Sequence, residues 1–300
     1  MYFCIFSFNR GRFLENCIKS IEQCVEAPVI LIFDDESNDP ETVSILKELS
    51  KRYQVIQPEK TEALTHKCGG LYNNMQSSLS YIPEGELVYF VQDDTQLVRK
   101  LSEQDINDIE RFFSESPDAA FLHHAFVRQK NRSHNQKTME YHQDSHVYIR
   151  NDSNRSSGIY FSALSIARVD RLKAANWVFK PTEKENELQA RTKFSKMGIM
   201  RNPFVMWLPS VPCYRGKVKT LALTLAEKKQ NCGFYPFEIL SDEQNQAFKA
   251  RNAKILPTAE DFLTVSNATL KKPWITHPLQ GQSLLKWLNK LELKFRKLTK

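Results

Sequence analysis

Two neighbouring carboxylates, Asp93 and Asp94, close an apolar, β-prone run, Val88-Tyr89-Phe90-Val91-Gln92. A buried strand that ends in paired acids delivers them to the edge where open α/β sheets bind ligands. Two carboxylates there suit a hard divalent cation, and such a cation suits a phosphate-bearing substrate. A second acid cluster, Asp34-Asp35-Glu36-Ser37-Asn38-Asp39, follows another continuous apolar run, Val29-Ile30-Leu31-Ile32-Phe33. Acids are also common in solvated turns, so neither cluster assigns a site alone. Together they do so only if the two strands are parallel and put both acid groups on one edge.

The surrounding pattern predicts that arrangement. Tyr2–Phe8 reads as a buried strand, followed by the break Asn9-Arg10-Gly11. Arg12–Gln23 carries Phe13, Leu14, Cys17, Ile18 and Ile21 at helical spacing. Pro40 and its acidic neighbours start a helix that runs to about Tyr53, and Tyr53–Gln57 is a short third strand. Leu71, Met75 and Leu79 predict a helix opened by the Gly69-Gly70 turn, and Leu87–Val91 is the fourth strand. The alternation implies a doubly wound, mostly parallel sheet. Further on, Ser102–Ser114 reads as a helix, Ala119–Phe126 as a strand, Ile159–Leu164 as a strand and Ser165–Asn176 as a helix. Glu183–Met197 reads as a helix and Asn202–Leu208 as a strand, whereas 128–157 is a polar excursion expected to lie over the sheet, in the form of a hairpin or without order. The α/β rhythm fades near Lys219. The expected division is an α/β domain over residues 1–220 and a C-terminal extension over 221–300.

Composition narrows the class. Hydrophobic residues at 41% and charged residues at 26% describe an ordinary globular chain of 300 residues. The six cysteines form no zinc spacing, and reduced thiols in a cytoplasmic protein are the simplest account. The first residues read as a core strand rather than a signal peptide, and no apolar run approaches the ~18 residues needed to span a bilayer. A net charge of +7 favours anionic partners. No aromatic-plus-basic motif points to nucleic acid. The basic surplus gathers in Ser283–Lys300, where Leu284, Leu288, Leu291, Phe295 and Leu298 recur at steps of four and three among lysines. Such a helix lies in an anionic membrane interface or docks on the domain with its lysines in water.

Three segments in order, Ser7-Phe8-Asn9-Arg10, Phe33-Asp34-Asp35-Glu36-Ser37-Asn38-Asp39 and Val91-Gln92-Asp93-Asp94, resemble the inverting GT-A glycosyltransferases of family 2 over roughly residues 1–200. The resemblance implies the α/β GT-A fold of nucleotide-diphospho-sugar transferases, here with a C-terminal helical extension. It puts the nucleotide base against the backbone around Phe6 and Phe8 and the side chain of Asp35. Asp93 then falls near the ribose, and Asp94 becomes the ligand of a divalent cation, Mn²⁺ or Mg²⁺. Gln92 stands where the family usually has an acid. His66 and Lys67 fall where donor contacts occur but read as solvated. The stretch Lys184-Glu185-Asn186-Glu187-Leu188-Gln189-Ala190-Arg191 matches the family's catalytic-acid motif, with glutamates for aspartates. It implies Glu185 as general base and Glu187 as the second candidate; a charged first helical turn is the plain alternative. Arg201, Arg215 and Lys217 could assist the diphosphate from the far side but read as surface charge, and His277 stays outside the metal set.

The implied activity is transfer of a sugar from a nucleoside diphosphate sugar to a glycan or lipid-linked acceptor, as in surface polysaccharide or glycolipid synthesis. The rivals are a sugar-nucleotide nucleotidyltransferase, which the single glycine of Asn9-Arg10-Gly11-Arg12 supports poorly, and a non-catalytic nucleotide-sugar-binding protein on the same fold. The expected location is cytoplasmic, peripheral to the membrane if 283–300 binds it.

Overall fold

The protein was analysed as a computed structural model that describes residues 1–57, 69–152, 157–214, 217–266 and 270–298. His66, Lys67 and Arg215 lie outside the described residues. The first strand, β1 (Tyr2–Ser7), leads into α1 (Gly11–Cys24), and the alternation continues through β2 (Val29–Asp34), α2 (Pro40–Leu49), β3 (Gln54–Ile56), α3 (Leu71–Ser78) and β4 (Leu87–Gln92). β1 lies between β2 and β4, parallel to both, with Phe6 level with Phe33 and with Gln92. The register brings the ends of all three strands to one edge, as the two acid clusters require.

Past β4 the chain departs from simple alternation. A short β5 (Thr95–Leu97) is followed by α4 (Glu103–Glu115) and β6 (Phe121–His123). The described part of the polar excursion, 128–152 and 157, includes the expected hairpin, but the hairpin joins the sheet instead of lying over it. It forms α5 (Arg132–Thr138) and a hairpin of β7 (Met139–His142) and β8 (Val147–Arg150), which extends the sheet by pairing with β10 (Gly198–Met200). Between them come β9 (Ile166–Arg168), α6 (Val169–Ala174) and α7 (Glu183–Lys193), and β11 (Val205–Trp207) pairs with β5 in a separate two-stranded sheet. The main sheet runs β3-β2-β1-β4-β9-β6-β10-β8-β7. Within it β9 and β8 run against the other strands, so the sheet is mixed but mostly parallel in direction.

The strand expected over Ile159–Leu164 is absent, and the strand that pairs with β4 and β6 is β9, just after it. The apolar side chains Ile159, Phe161 and Leu164 are buried nonetheless. The backbone N–H groups of 158–161 donate to a side chain, Glu187, instead of to a neighbouring strand.

Side chains alternate across β1 and so divide the core. Phe3 and Ile5 pack with Leu14, Cys17, Ile18 and Ile21 of α1. Cys4 and Phe6 face the opposite layer, with Tyr72 and Met75 of α3 and with Phe161 and Trp177. Each such buried side chain stabilises the fold by about 1.5–3 kcal/mol. A third cluster joins Val98, Phe126 and Met206 to Tyr235, Phe237, Phe248 and Trp274 of the C-terminal region. That region holds α8 (Leu221–Lys229), α9 (Asp242–Ala250), α10 (Ala259–Phe262) and α11 (Ser283–Leu298). Among the described residues no helix is long and apolar enough to cross a membrane.

Candidate active site

The turn after β1 builds the floor of the site. Asn9 sits at φ 48°, in the left-handed region that asparagine tolerates. Its side-chain oxygen accepts the backbone N–H groups of Asn38 and Asp39 at 2.8 and 2.9 Å, and its own N–H donates to Ser37 Oγ at 2.8 Å. The turn after β1 is thereby tied to the turn after β2. Within the second turn the acids divide their tasks. Asp34 is buried and accepts the N–H and hydroxyl of Ser37, while Asp39 caps α2 through Thr42. Burial pushes the Asp34 carboxyl upward, against the pull of the Ser37 bonds.

Asp35 is left to face the cleft. It accepts the Gly70 N–H at 2.8 Å and pairs with Lys217 Nζ at 3.0 Å; the same ammonium reaches Glu36 at 3.1 Å. Gly70 is required here, because a Cβ would stand 2.1 Å from Asp35 Oδ1. Lys217 also lies 5.7 Å from the ring of Phe8, which packs edge-on against Tyr214.

Asp93 has no exposed surface and lies beneath the cleft rather than on it. It accepts the Phe8 N–H at 3.0 Å, and its own N–H donates to the Phe6 carbonyl at 3.0 Å. The backbone around Phe6 and Phe8 is therefore engaged by Asp93, while both residues line the cleft. Arg10 bridges the acid pair, 2.5 Å from Asp93 and 2.7 Å from Asp94. Burial raises the Asp93 carboxyl while Arg10 opposes that rise. Burial alone would lower Arg10, but the two carboxylates more than offset it and hold the guanidinium charged.

Asp94 faces the cleft. Its Oδ2 is taken by Arg10, whereas its Oδ1 is buried and makes no hydrogen bond. An anionic oxygen left in that state fits a cation. Among the described residues no group of three His, Cys, Asp or Glu side chains forms a metal cage. The donor set thus suits a cation of the Mg²⁺ type, which uses one or two carboxylates and completes its shell with substrate phosphates and water. His277 borders the cleft, with Nε2 3.4 Å from Cys213 Sγ and Nδ1 accepting the Leu279 N–H.

The three glutamates of α7 take different places, Glu185 by helical phase and Glu183 and Glu187 by position along one face. Glu185 is exposed; its N–H and carboxylate both bond the Thr182 hydroxyl, closing the first turn. Glu187 is buried and accepts the N–H groups of Gly158, Ile159, Tyr160 and Phe161 at 2.9–3.3 Å. Neither lines the cleft. Glu183 does, and its charge acts on Arg128, which also feels Asp94. Arg128 stacks 4.5 Å from the centre of the Trp207 ring, and burial lowers its pKa.

Arg10, from the first motif segment, Arg128, Lys217 and Glu183 also line the cleft; Lys217 is not surface charge, since its ammonium is held between Asp35 and Glu36 with 12% of the side chain exposed. Two signals were available. An arginine stands in the turn after the first strand, and Glu183 and Glu187 share one helix face at i, i+4 while Glu185 faces away. Arg201 lies elsewhere, on the Arg251 carbonyl. The open cleft has a volume of about 790 Å³, of a size that holds a nucleotide-sized ligand.

No family model matches the chain, and no curated protein sequence matches it. Among solved structures it is similar to TarS 1–349 of S. aureus in complex with UDP, at 17% identity over 68% of this chain and 60% of that one, with a TM-score of 0.48. A second likeness is to the mannosyltransferase PcManGT from Pyrobaculum calidifontis in complex with GDP-Man and Mn²⁺, at 9% identity over 84% and 64% of the two chains, with a TM-score of 0.46. The chain spans about three fifths of the length of these structures.

Proposed function

We propose that the cleft binds a nucleoside diphosphate sugar and transfers its sugar, with inversion, to an acceptor hydroxyl of a glycan or a lipid-linked glycan. The observation that supports this reading is the convergence of unlike charges in one cleft: Asp35, and Arg10 paired with Asp94, from the strand edge, and Arg128 with Glu183 from the elements beside it. Asp35 keeps lone pairs beyond those given to Gly70 and Lys217, and offers them to a base N–H. The diphosphate lies toward Arg10 and Arg128, which stabilise the negative charge that grows on it as the glycosidic bond breaks. A divalent cation held by Asp94 would add Lewis-acid stabilisation of the same leaving group. Glu183 takes the proton from the acceptor hydroxyl as it attacks the anomeric carbon from the opposite face. Asp93 positions Arg10 and the Phe8 backbone from below. We place the reaction at the cytoplasmic face of a membrane, in surface polysaccharide or glycolipid synthesis.

The test begins with thermal-shift screening of nucleotide sugars with and without Mn²⁺, since a true ligand stabilises the fold by mass action. Release of nucleoside diphosphate is then measured across an acceptor panel. Glu183→Gln is expected to lower turnover by about 10²-fold or more while donor binding persists, and Glu185→Gln to leave turnover near wild type. The reverse result moves the base to Glu185. Release of pyrophosphate instead would assign nucleotidyl transfer, and binding without turnover would leave a carrier of nucleotide sugars.

A further inference from the structure

The C-terminal helix is docked by an unexpected side. Leu284, Leu288, Leu291 and Phe295 form a stripe within about 60° of its surface at 3.6 residues per turn. An apolar stripe of this kind ordinarily faces the core. Here α11 meets the body through the adjacent edge: Leu285 packs near Leu223 and Ala226, Asn289 bonds the buried Thr220 hydroxyl at 2.6 Å, and Glu292 accepts the Leu221 N–H at the start of α8. The stripe is left outside. Leu284 is 66% exposed, Trp287 56% and Phe295 65%, and on the neighbouring helix Leu221 is 74% exposed and Leu225 57%. Of the large hydrophobic side chains exposed among the described residues, half lie on these two helices.

Charge identifies what covers them. Lys290 and Lys294 follow the Trp287 side of the stripe on α11, Lys286 lies on the far side of that helix, and Lys228 and Lys229 close α8; all are exposed. Glu292, the acid of α11, is already engaged by the α8 amides and by Arg296 at 2.9 Å. We propose that α8 and α11 together form a face that seats on an anionic lipid surface, with the leucines and Trp287 in the acyl–headgroup boundary and the lysines among the phosphates. A second protein copy meeting this face would bring its own lysines against these, which disfavours self-association. The face also adjoins the cleft. Cys213, Tyr214 and Lys217 line the cleft just before α8, and Thr276 and His277 line it just before α11. Seating on lipid therefore holds the cleft mouth at the membrane, where a lipid-linked acceptor would be presented. The lipid contact itself does not depend on the chemistry proposed for the cleft, since it is read without turnover.

The experiment is flotation of the full chain with vesicles of phosphatidylcholine alone and of phosphatidylcholine with phosphatidylglycerol. Wild type is expected to float with the anionic vesicles, and less as salt rises. Leu225→Glu with Leu284→Glu, both on exposed positions, is expected to cut the bound fraction about tenfold with circular dichroism and melting unchanged, and Lys286→Glu with Lys290→Glu to do the same. Absence of flotation, equal binding to neutral vesicles, or unchanged binding in the leucine variant would overturn the proposal. So would a dimer in sedimentation that the leucine substitutions dissolve.

Discussion

The guanidinium of Arg10 lies 2.5 Å from the carboxylate of Asp93, a side chain with no exposed surface. Removing one partner of such a pair strands the other charge in the interior, at a cost of about 3–5 kcal/mol. Arg10→Ala is therefore expected to lower the unfolding free energy by that amount in urea titrations. Arg10→Ala with Asp93→Asn is expected to recover part of the loss, because the orphaned charge is gone. An additive double variant would show that the two side chains are not coupled.

Gly70 sits where a methyl group would collide with Asp35. Gly70→Ala is expected to displace the Asp35 carboxylate, with a stability loss of about 1–3 kcal/mol and weaker nucleotide binding. Isothermal titration with nucleoside diphosphates, beside a melting curve, measures both. Undiminished affinity would separate Asp35 from the nucleotide.

Glu187 holds four successive backbone amides, Gly158 of the cleft wall among them, and does not itself line the cleft. Glu187→Ala is expected to destabilise the fold by about 3 kcal/mol, since several buried donors lose their acceptor. Loss of turnover in this variant should follow loss of folded protein. An inactive Glu187→Gln with a wild-type melting curve would return Glu187 to the candidates for general base.

His124 has no exposed surface, neither ring nitrogen makes a hydrogen bond, and it lies between Tyr89 and Phe204. Burial drives its pKa well below the ordinary 6.5, so the folded chain keeps it neutral while the unfolded chain protonates it. The unfolded state then binds more protons below pH 6.5, and stability falls as pH falls from there. The slope approaches about 1.4 kcal/mol per pH unit for one such histidine. His124→Phe is expected to flatten the loss between pH 6.5 and 5, though His123, which burial pushes down to about 4, keeps a similar contribution. Denaturant melts at stepped pH provide the measurement.

Much of the parallel half of the sheet was legible in sequence, because a strand buried on both faces reads as an unbroken apolar run and its acids mark where burial ends. Asp35 and Asp94 come from that signal. The region after β4 was harder to read for a physical reason. Phe161 and Leu164 are as apolar and as buried as strand residues, but the adjoining backbone is satisfied by a carboxylate from a helix far along the chain. No local pattern encodes that exchange. The motif's letters favour Glu185 and Glu187; helical phase turns Glu185 away, but Glu183 and Glu187 share a face, and only the packing of residues 158–161 decides that Glu187 is covered while Glu183 lines the cleft.

The clamp of Glu187 on residues 158–161 carries a mechanical consequence. The same helix presents Glu183 one turn earlier, and the clamped segment carries Gly158 and leads into Ser162–Leu164 along the cleft wall. Wall and acid are thus parts of one stiff lever, bolted together by four amides. They cannot be re-aimed separately: a change that shifts residues 158–164 shifts Glu183 with them.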